Sequence, residues 1–290
     1  MTATLLAEQA LNGLQLGLML FLMAAGLTLV LGIMDTINLA HGSLYMVGAY
    51  LTAALAQATG SFLGGLVLAV AATAAIGAVL EVTVLRALYR RDHLSQVLAT
   101  FALILIANEA VRMAWGPQPV ALAIPAALAG PVELLPGFLY PAWRLVLIAV
   151  GFGVATLLFI LVGHTRAGMR VRAGASNREM AEVMGVDVKR LFTVIFAIGA
   201  ALCAVAGALL GPLLAVQVGM GESILILAFV VVVIGGIGSI RGAFIGALLV
   251  GFVDTLGRTL LVPALASIAI YVLMAAVLFW KPQGLFPARA

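Results

Sequence analysis

Charge is the scarcest property of this 290-residue chain. Fifteen basic and 11 acidic residues make up 9% of it, against 64% hydrophobic residues. A soluble domain averages about 25% charged and about 45–50% apolar residues, and a sphere of this size cannot hide such an apolar surplus from water. A water-soluble fold is therefore excluded. So is a large polar appendage, since no stretch of 60 or more residues has ordinary polar composition. The single cysteine, Cys203, excludes a disulfide within the chain. His41, His93 and His164 are far apart and no H-E-x-x-H occurs, so the clustered ligands of a metal site are missing. The two lysines, Lys189 and Lys281, do not follow glycine, which excludes the G-x-x-x-x-G-K loop that cradles ATP phosphates. No cofactor is expected in this chain. The net charge of +4 is too small to point to nucleic acid. Met1 to Gln9 has no basic n-region, so a cleaved signal peptide is not expected.

What remains is a set of long apolar runs. Nine occur, at roughly 10–34, 43–59, 62–85, 96–115, 143–163, 191–214, 222–240, 242–262 and 264–280. They are continuously apolar rather than alternating, which favours helices over barrel strands. The 32 glycines suit helices that pack closely in lipid. The expected fold is an all-α polytopic membrane protein: a bundle of about 8–9 transmembrane helices with broken helices, in one permease-sized domain spanning 1–290. Twelve of the 15 basic residues fall in four places: Arg86, Arg90 and Arg91; the loop 164–190; Arg241; and Lys281 with Arg289. Alternating nine spans puts all four places on one side. The excess of Lys and Arg marks that side as cytoplasmic, with the N-terminus outside and the C-terminus inside. The longest outer loop, 116–142, has five prolines and no Lys or Arg. It reads equally as a cap lying on the outer membrane surface and as a rigid connector.

The inner loop 164–190 is the most informative polar stretch. Ser176-Asn177-Arg178-Glu179 fits a capping box with Ser176 as N-cap and Glu179 at the third helical position. Met180, Val183 and Met184 then form an apolar stripe at i, i+3 and i+4. Gly185 stands where a left-handed C-terminal cap is expected, and Asp187 can start the next helix. A two-turn amphipathic helix of this kind can lie on anionic lipid, pack on its own helix ends, or enter a groove on a soluble partner.

Ionisable and polar groups at membrane depth are costly unless paired or wet. Asp35-Thr36-Ile37-Asn38-Leu39-Ala40-His41-Gly42-Ser43 interrupts two apolar runs and reads as a broken helix whose polar groups line a cavity; the alternative is an ordinary inner loop, which the absence of Lys and Arg from residues 1–85 weakens. For Glu81 with Arg86, Glu109 with Arg112, and Asp254 with Arg258, structural ion pairing at short helical spacing is the expectation. Gly242 and Gly246 make a G-x-x-x-G packing step.

Several of these segments together resemble a known family. They are Asn12-Gly13-Leu14, Gly32-Ile33-Met34, and Ile37-Asn38-Leu39-Ala40-His41-Gly42-Ser43-Leu44-Tyr45-Met46-Val47-Gly48. Further along come Thr165-Arg166-Ala167-Gly168-Met169-Arg170, Met184-Gly185-Val186, Gly235-Gly236-Ile237-Gly238-Ser239 and Lys281-Pro282-Gln283-Gly284-Leu285-Phe286. In this order they resemble the LivH-type permeases of bacterial branched-chain amino acid ABC importers, over nearly the whole chain. The resemblance implies an inner-membrane permease subunit that is not itself an enzyme. It implies a LivM-type second permease, two ABC ATPase subunits that bind ATP and Mg, and a periplasmic substrate-binding protein as partners. On that resemblance Ser176, Asn177, Glu179, Met180, Val183, Met184 and Gly185 belong to the helix that couples to an ATPase. Hydrogen-bonding groups for a zwitterionic amino acid are expected at Asn38 and His41, with Thr100 and Asn108 as further pathway candidates. The same scaffold in relatives imports urea, short amides or aromatic acids. The competing classes are a stand-alone secondary carrier, which needs an unpaired deep acid, and an intramembrane enzyme, for which no catalytic constellation is present.

Overall fold

The computed structural model describes residues 3–287 apart from 35, 37 and 90. Asp35 and Ile37 of the interrupting segment, Arg90 of the basic loop, Met1 and Arg289 lie outside the described residues. The described residues are mostly helical. In order, the elements are α1 (Ala3–Met34), α2 (His41–Thr59), α3 (Phe62–Leu88), α4 (His93–Trp115), a hairpin of β1 (Pro131–Leu135) and β2 (Phe138–Pro141), and α5 (Ala142–His164). Two short helices follow, α6 (Arg166–Ser176) and α7 (Arg178–Val183). The chain ends with α8 (Val188–Leu214), α9 (Met220–Gly235), α10 (Ile240–Leu260) and α11 (Pro263–Trp280).

Each of the nine apolar runs is a helix. Six of them, α1, α3, α4, α5, α8 and α10, are long and apolar enough to cross a membrane, which makes this an all-α polytopic membrane protein. The remaining three are α2, whose first half is buried, and the shorter α9 and α11. The expected figure of 8–9 crossings is therefore not fixed by length and composition. The β-hairpin is an addition to the expected all-helical plan. It forms in the proline-rich loop because Gly137 adopts φ +79° at its turn and strand Pro131–Leu135 pairs antiparallel with Phe138–Pro141.

α1 is the central post. Leu18 to Ala25 are at most 1% exposed, enclosed by α5, α8, α9 and α10. An apolar helix has no hydrophobic reason to sit inside a protein rather than in lipid, so close backbone packing must hold it there. Small residues provide this. A Cβ on Gly26 would stand 2.9 Å from the His41 ring and 3.0 Å from the Gly199 backbone. One on Gly48 would collide with the Ala204 backbone, and Gly42 and Gly221 meet backbone to backbone. The G-x-x-x-G step acts as expected: Gly242 and Gly246 of α10 both lie against the α9 backbone, at Gly235 and Val231.

The contacts sort the chain into two ends. One collects Met34, Tyr89, α6, α7 and the glycine tract 235–239: Tyr89 reaches Met34, Gly174 faces Ile33 and Leu191, and Gly32 abuts Gly238. The C-terminal segment joins this end. Leu285 and Phe286 donate their N–H groups to the Ile234 and Gly235 carbonyls, at 2.8 and 3.0 Å, and so satisfy acceptors that the end of α9 leaves free. Gly236 turns there with φ +102°. The other end holds Asn12, whose Oδ1 accepts from Tyr140 at 2.9 Å and also from Arg144. All four basic regions thus lie at one end of the bundle.

Gly48→Ala is expected to force α2 away from α8 and destabilise the protein by about 1–3 kcal/mol, the range for overpacking. Gly153→Ala, with open space around its Cβ position, should leave stability unchanged. Thermal unfolding of the two variants in one detergent measures the difference.

Candidate functional site

Three polar constellations stand out, at the interrupted helix, at the basic end, and on the face shared by α4 and α9. In the first, α1 stops at Met34 and α2 begins at His41. Thr36, Asn38 and His41 are all at most 2% exposed. Thr36 Oγ1 donates to the Met34 carbonyl at 2.9 Å, and Asn38 Oδ1 accepts from the Ala40 N–H at 3.0 Å. These side chains replace the helical partners that the break removes, as non-helical backbone inside a membrane protein requires. The His41 ring is wedged between Gly26 and Gly199, with Nε2 3.1 Å from Cys203 Sγ. Asn38 Nδ2 and His41 Nδ1 have no partner among the described residues. Asn38 and His41 therefore come together, but enclosed by this chain's own helices rather than on an open surface. Their place on a transport path is taken up as a proposal below.

The second constellation ties three helices at the basic end. A π-helical turn at Glu81–Leu85 carries Glu81, fully buried. Its carboxylate accepts from Arg86 Nη2 at 2.9 Å, from Tyr89 Oη at 2.9 Å and from Thr193 Oγ1 at 2.6 Å. A buried carboxylate is tolerated when its oxygens are met by donors in this way. Burial first, and then the bond to Glu81, pushes the Tyr89 phenol well above its ordinary range, so it remains a donor. The expected pairings hold: Arg86 with Glu81, Arg112 with Glu109 at 3.1 Å, and Arg258 with Asp254 at 2.9 Å.

Beside this network stand α6 and α7. The capping residue is Asn177 rather than Ser176. Asn177 Oδ1 accepts from the Met180 N–H at 2.9 Å, while Ser176 ends a preceding helix. That helix, α6, was not expected. It starts where Thr165 Oγ1 accepts from the Gly168 N–H at 3.1 Å, and its last turn takes up Ser176. Glu179 consequently sits at the second helical position. The C-terminal cap is as expected: Gly185 has φ +85°, and the bonds from Gly185 N–H to Glu182 and from Val186 N–H to Ala181 make a Schellman motif. Asp187 Oδ1 accepts from the Arg190 N–H at 3.0 Å and opens α8. Ala181 is buried, whereas Met180, Val183 and Met184 are 58%, 81% and 78% exposed. The apolar stripe thus faces away from the protein. Arg178 stacks over Phe192, 4.8 Å from the ring centroid, and fastens α7 to α8.

Of the other two pathway candidates, Thr100 is fully buried and its hydroxyl donates to the Gln96 carbonyl at 2.9 Å. Asn108 is half-buried. Two turns separate them on α4, and neither meets Asn38 or His41. Asn108 Nδ2 instead donates to Glu222 Oε1 at 2.6 Å. Glu222, exposed in the first turn of α9, carried no mark in the sequence because it reads as the first residue of an apolar run. An acid in a first helical turn is the signal that could have found it. Among the described residues, no group of three or more His, Cys, Asp or Glu is placed to hold a metal ion.

Replacing Arg86 by Met leaves the buried Glu81 charge without its cation, with an expected loss of about 2–4 kcal/mol, below the cost for a wholly enclosed pair because Arg86 is partly exposed. Adding Glu81→Gln should restore more than half of it. A double-mutant cycle on detergent unfolding temperatures tests this.

The family model described as "Branched-chain amino acid transport system / permease component" matches residues 9–278. The high-affinity branched-chain amino acid transport system permease protein LivH of Escherichia coli (strain K12) is 31% identical, over 96% of this chain and 94% of its own. The corresponding protein BraD of Pseudomonas aeruginosa is 30% identical over the same shares. A probable LivH of Methanocaldococcus jannaschii is 27% identical over 92% of this chain and 88% of its own. No solved structure matches.

Proposed function

The chain belongs to the family of permease components of branched-chain amino acid transport systems, and on that premise we propose that it forms half of the translocation path for branched-chain amino acids. It is a multi-pass inner-membrane permease subunit of an ABC importer. The other half of the path is a homologous second permease of the LivM type. ATP and Mg bind on two separate ATPase subunits, and a periplasmic binding protein delivers the substrate. Urea, short amides and aromatic acids are the substrate alternatives on the same scaffold.

The observation that carries this reading is the family match along the chain together with an outward-facing Met180–Val183–Met184 stripe at the basic end. Methionine adapts its shape to a partner surface, and a six-residue helix (α7) is too short to hold lipid firmly. The basic end is then cytoplasmic, with the N-terminus outside and the C-terminus inside, and all nine long helices lie in the membrane. Two of them, α2 and α9, begin within it. Closure of the ATPases moves α7. Arg178 on Phe192 and Thr193 on Glu81 pass that movement to α8 and α3. In an equilibrium of inward- and outward-facing states, only a difference in contact energy between the two shifts the population. Asn38 and His41, and separately Thr100 on α4, are exposed to substrate when the bundle opens.

Purification of the tagged chain from native membranes in mild detergent should bring along a second permease and two ATPases. The pair Met180→Asp and Met184→Asp should release the ATPases and keep the second permease. Retention of the ATPases at unchanged stoichiometry would remove α7 from the coupling role.

A further inference from the structure

We propose that Glu222 and Asn108 form a cation-recognition point part-way along the transport path, which takes the ammonium group of the passing amino acid. The assignment rests on the reading just given. Four observations lead to it.

The first is depth. α9 does not begin at the bundle surface: Gly221 lies against Gly42 at the start of α2, and the neighbouring His41 lies beside Gly26 and Gly199. Gly26 is about 12 Å from the end of α1, and Gly199 about 17 Å from the start of α8, at 1.5 Å per residue. Asn108 stands about 22 Å along α4 and about 10 Å from its far end by the same rise. The Asn108–Glu222 bond therefore sits well inside the bilayer.

The second is exposure without a counter-ion. The Glu222 side chain is exposed and takes part in none of the four ion pairs found among the described residues. The other acids of the bundle each have an arginine: Glu81 and Asp254 are buried beside one, and Glu109, exposed next to Asn108, pairs with Arg112. An unpaired carboxylate facing acyl chains is costly. The face that carries Glu222 is thus wet or covered, and not open to lipid.

The third is nearness to an opening. Trp115 follows Asn108 by seven residues and so shares its face of α4. Trp115 lines a cleft of about 860 Å³ at the end away from the basic loops, together with Gln57, Val120, Leu122 and Ile124. Val111, between Trp115 and Asn108 on α4, is 3% exposed and closes the way from that cleft to Asn108 and Glu222, so in transport this step has to open.

The fourth is chemistry. Asn108 fixes one carboxylate oxygen at 2.6 Å and leaves the other free to accept from a cation. One turn further toward the basic end on the two helices stand Leu105 and Ile226, 55% and 52% exposed. A carboxylate with adjoining aliphatic surface matches an ammonium group carried next to a branched side chain.

The test uses the assembled transporter with its binding protein in proteoliposomes, with leucine as the probe. Glu222→Gln keeps the bond to Asn108 and removes the charge. It should lower ATP-driven leucine uptake by about tenfold, the size of one charge-assisted hydrogen bond. The complex should stay intact and the binding-protein-stimulated ATPase should persist, and Glu222→Asp should restore most of the uptake. Glu222→Cys should react with a water-soluble thiol reagent, against a background of one native thiol, the buried Cys203. Unchanged uptake in Glu222→Gln overturns the assignment, as does a Glu222→Cys variant that stays closed to the reagent in every nucleotide state. Loss of the second permease from the Glu222→Gln complex also overturns it and makes Glu222 a subunit-interface residue. If the unaltered complex imports no amino acid, the functional reading itself fails. The assignment then falls with its cargo, a result distinct from a defect confined to the variants.

Discussion

Acyl chains offer no hydrogen-bond partner, so every stretch of backbone that leaves a helix within the membrane must be enclosed by protein. The break between α1 and α2 is enclosed in this way, with Thr36, Asn38 and His41 at most 2% exposed. Thr36 and Asn38 turn back onto the chain, and α1, α8 and α9 close around His41 and Gly42. That closure needs backbones nearer than side chains permit, which is why Gly26, Gly42, Gly48, Gly199 and Gly221 occupy the contact positions. The start of α9 inside the bundle follows from the same packing, because Gly221 rests on Gly42.

A second constraint operates at the basic end, where the bundle is tied to the short helices α6 and α7. Glu81 is at the centre of that end. Its oxygens accept from residues of α3, from Tyr89 beyond it and from α8. Tyr89 in turn touches Met34 at the end of α1 and packs edge-on against Phe192. The same Phe192 carries the Arg178 guanidinium of α7. A displacement of α7 thus has a short, polar and packed route to the helix ends around it, and the tail strapped along the end of α9 stiffens the neighbouring corner.

The electrostatics divide into groups that stabilise and groups that are available. Glu81, Glu109 and Asp254 are each matched with an arginine close in sequence, and such pairs make deep acids compatible with lipid. Asn38 and His41 are enclosed with unmet bonding capacity. Glu222, with a neutral partner and an exposed side chain, is neither neutralised nor enclosed. This contrast separates it from the other acids of the bundle.

The sequence by itself determined that the chain lives in lipid, where its helices lie, and which segments gather on the basic side. These are properties of composition and period along the chain, and lipid enforces them without reference to partners. Local pairs at short spacing were equally legible: Asp254 with Arg258, the Gly185 cap, and the Gly242–Gly246 step depend on neighbours within one or two turns. The tertiary structure decided what depends on distant segments. It moved the cap of α7 from Ser176 to Asn177, because α6 claims Ser176 for its own last turn. It buried His41 against Cys203, 162 residues away. It also joined Asn108 to Glu222 across 114 residues, a meeting fixed by the depth at which α9 begins. That depth is set by glycine contacts between α2 and α9, and helical periodicity carries no information about which glycine will meet which.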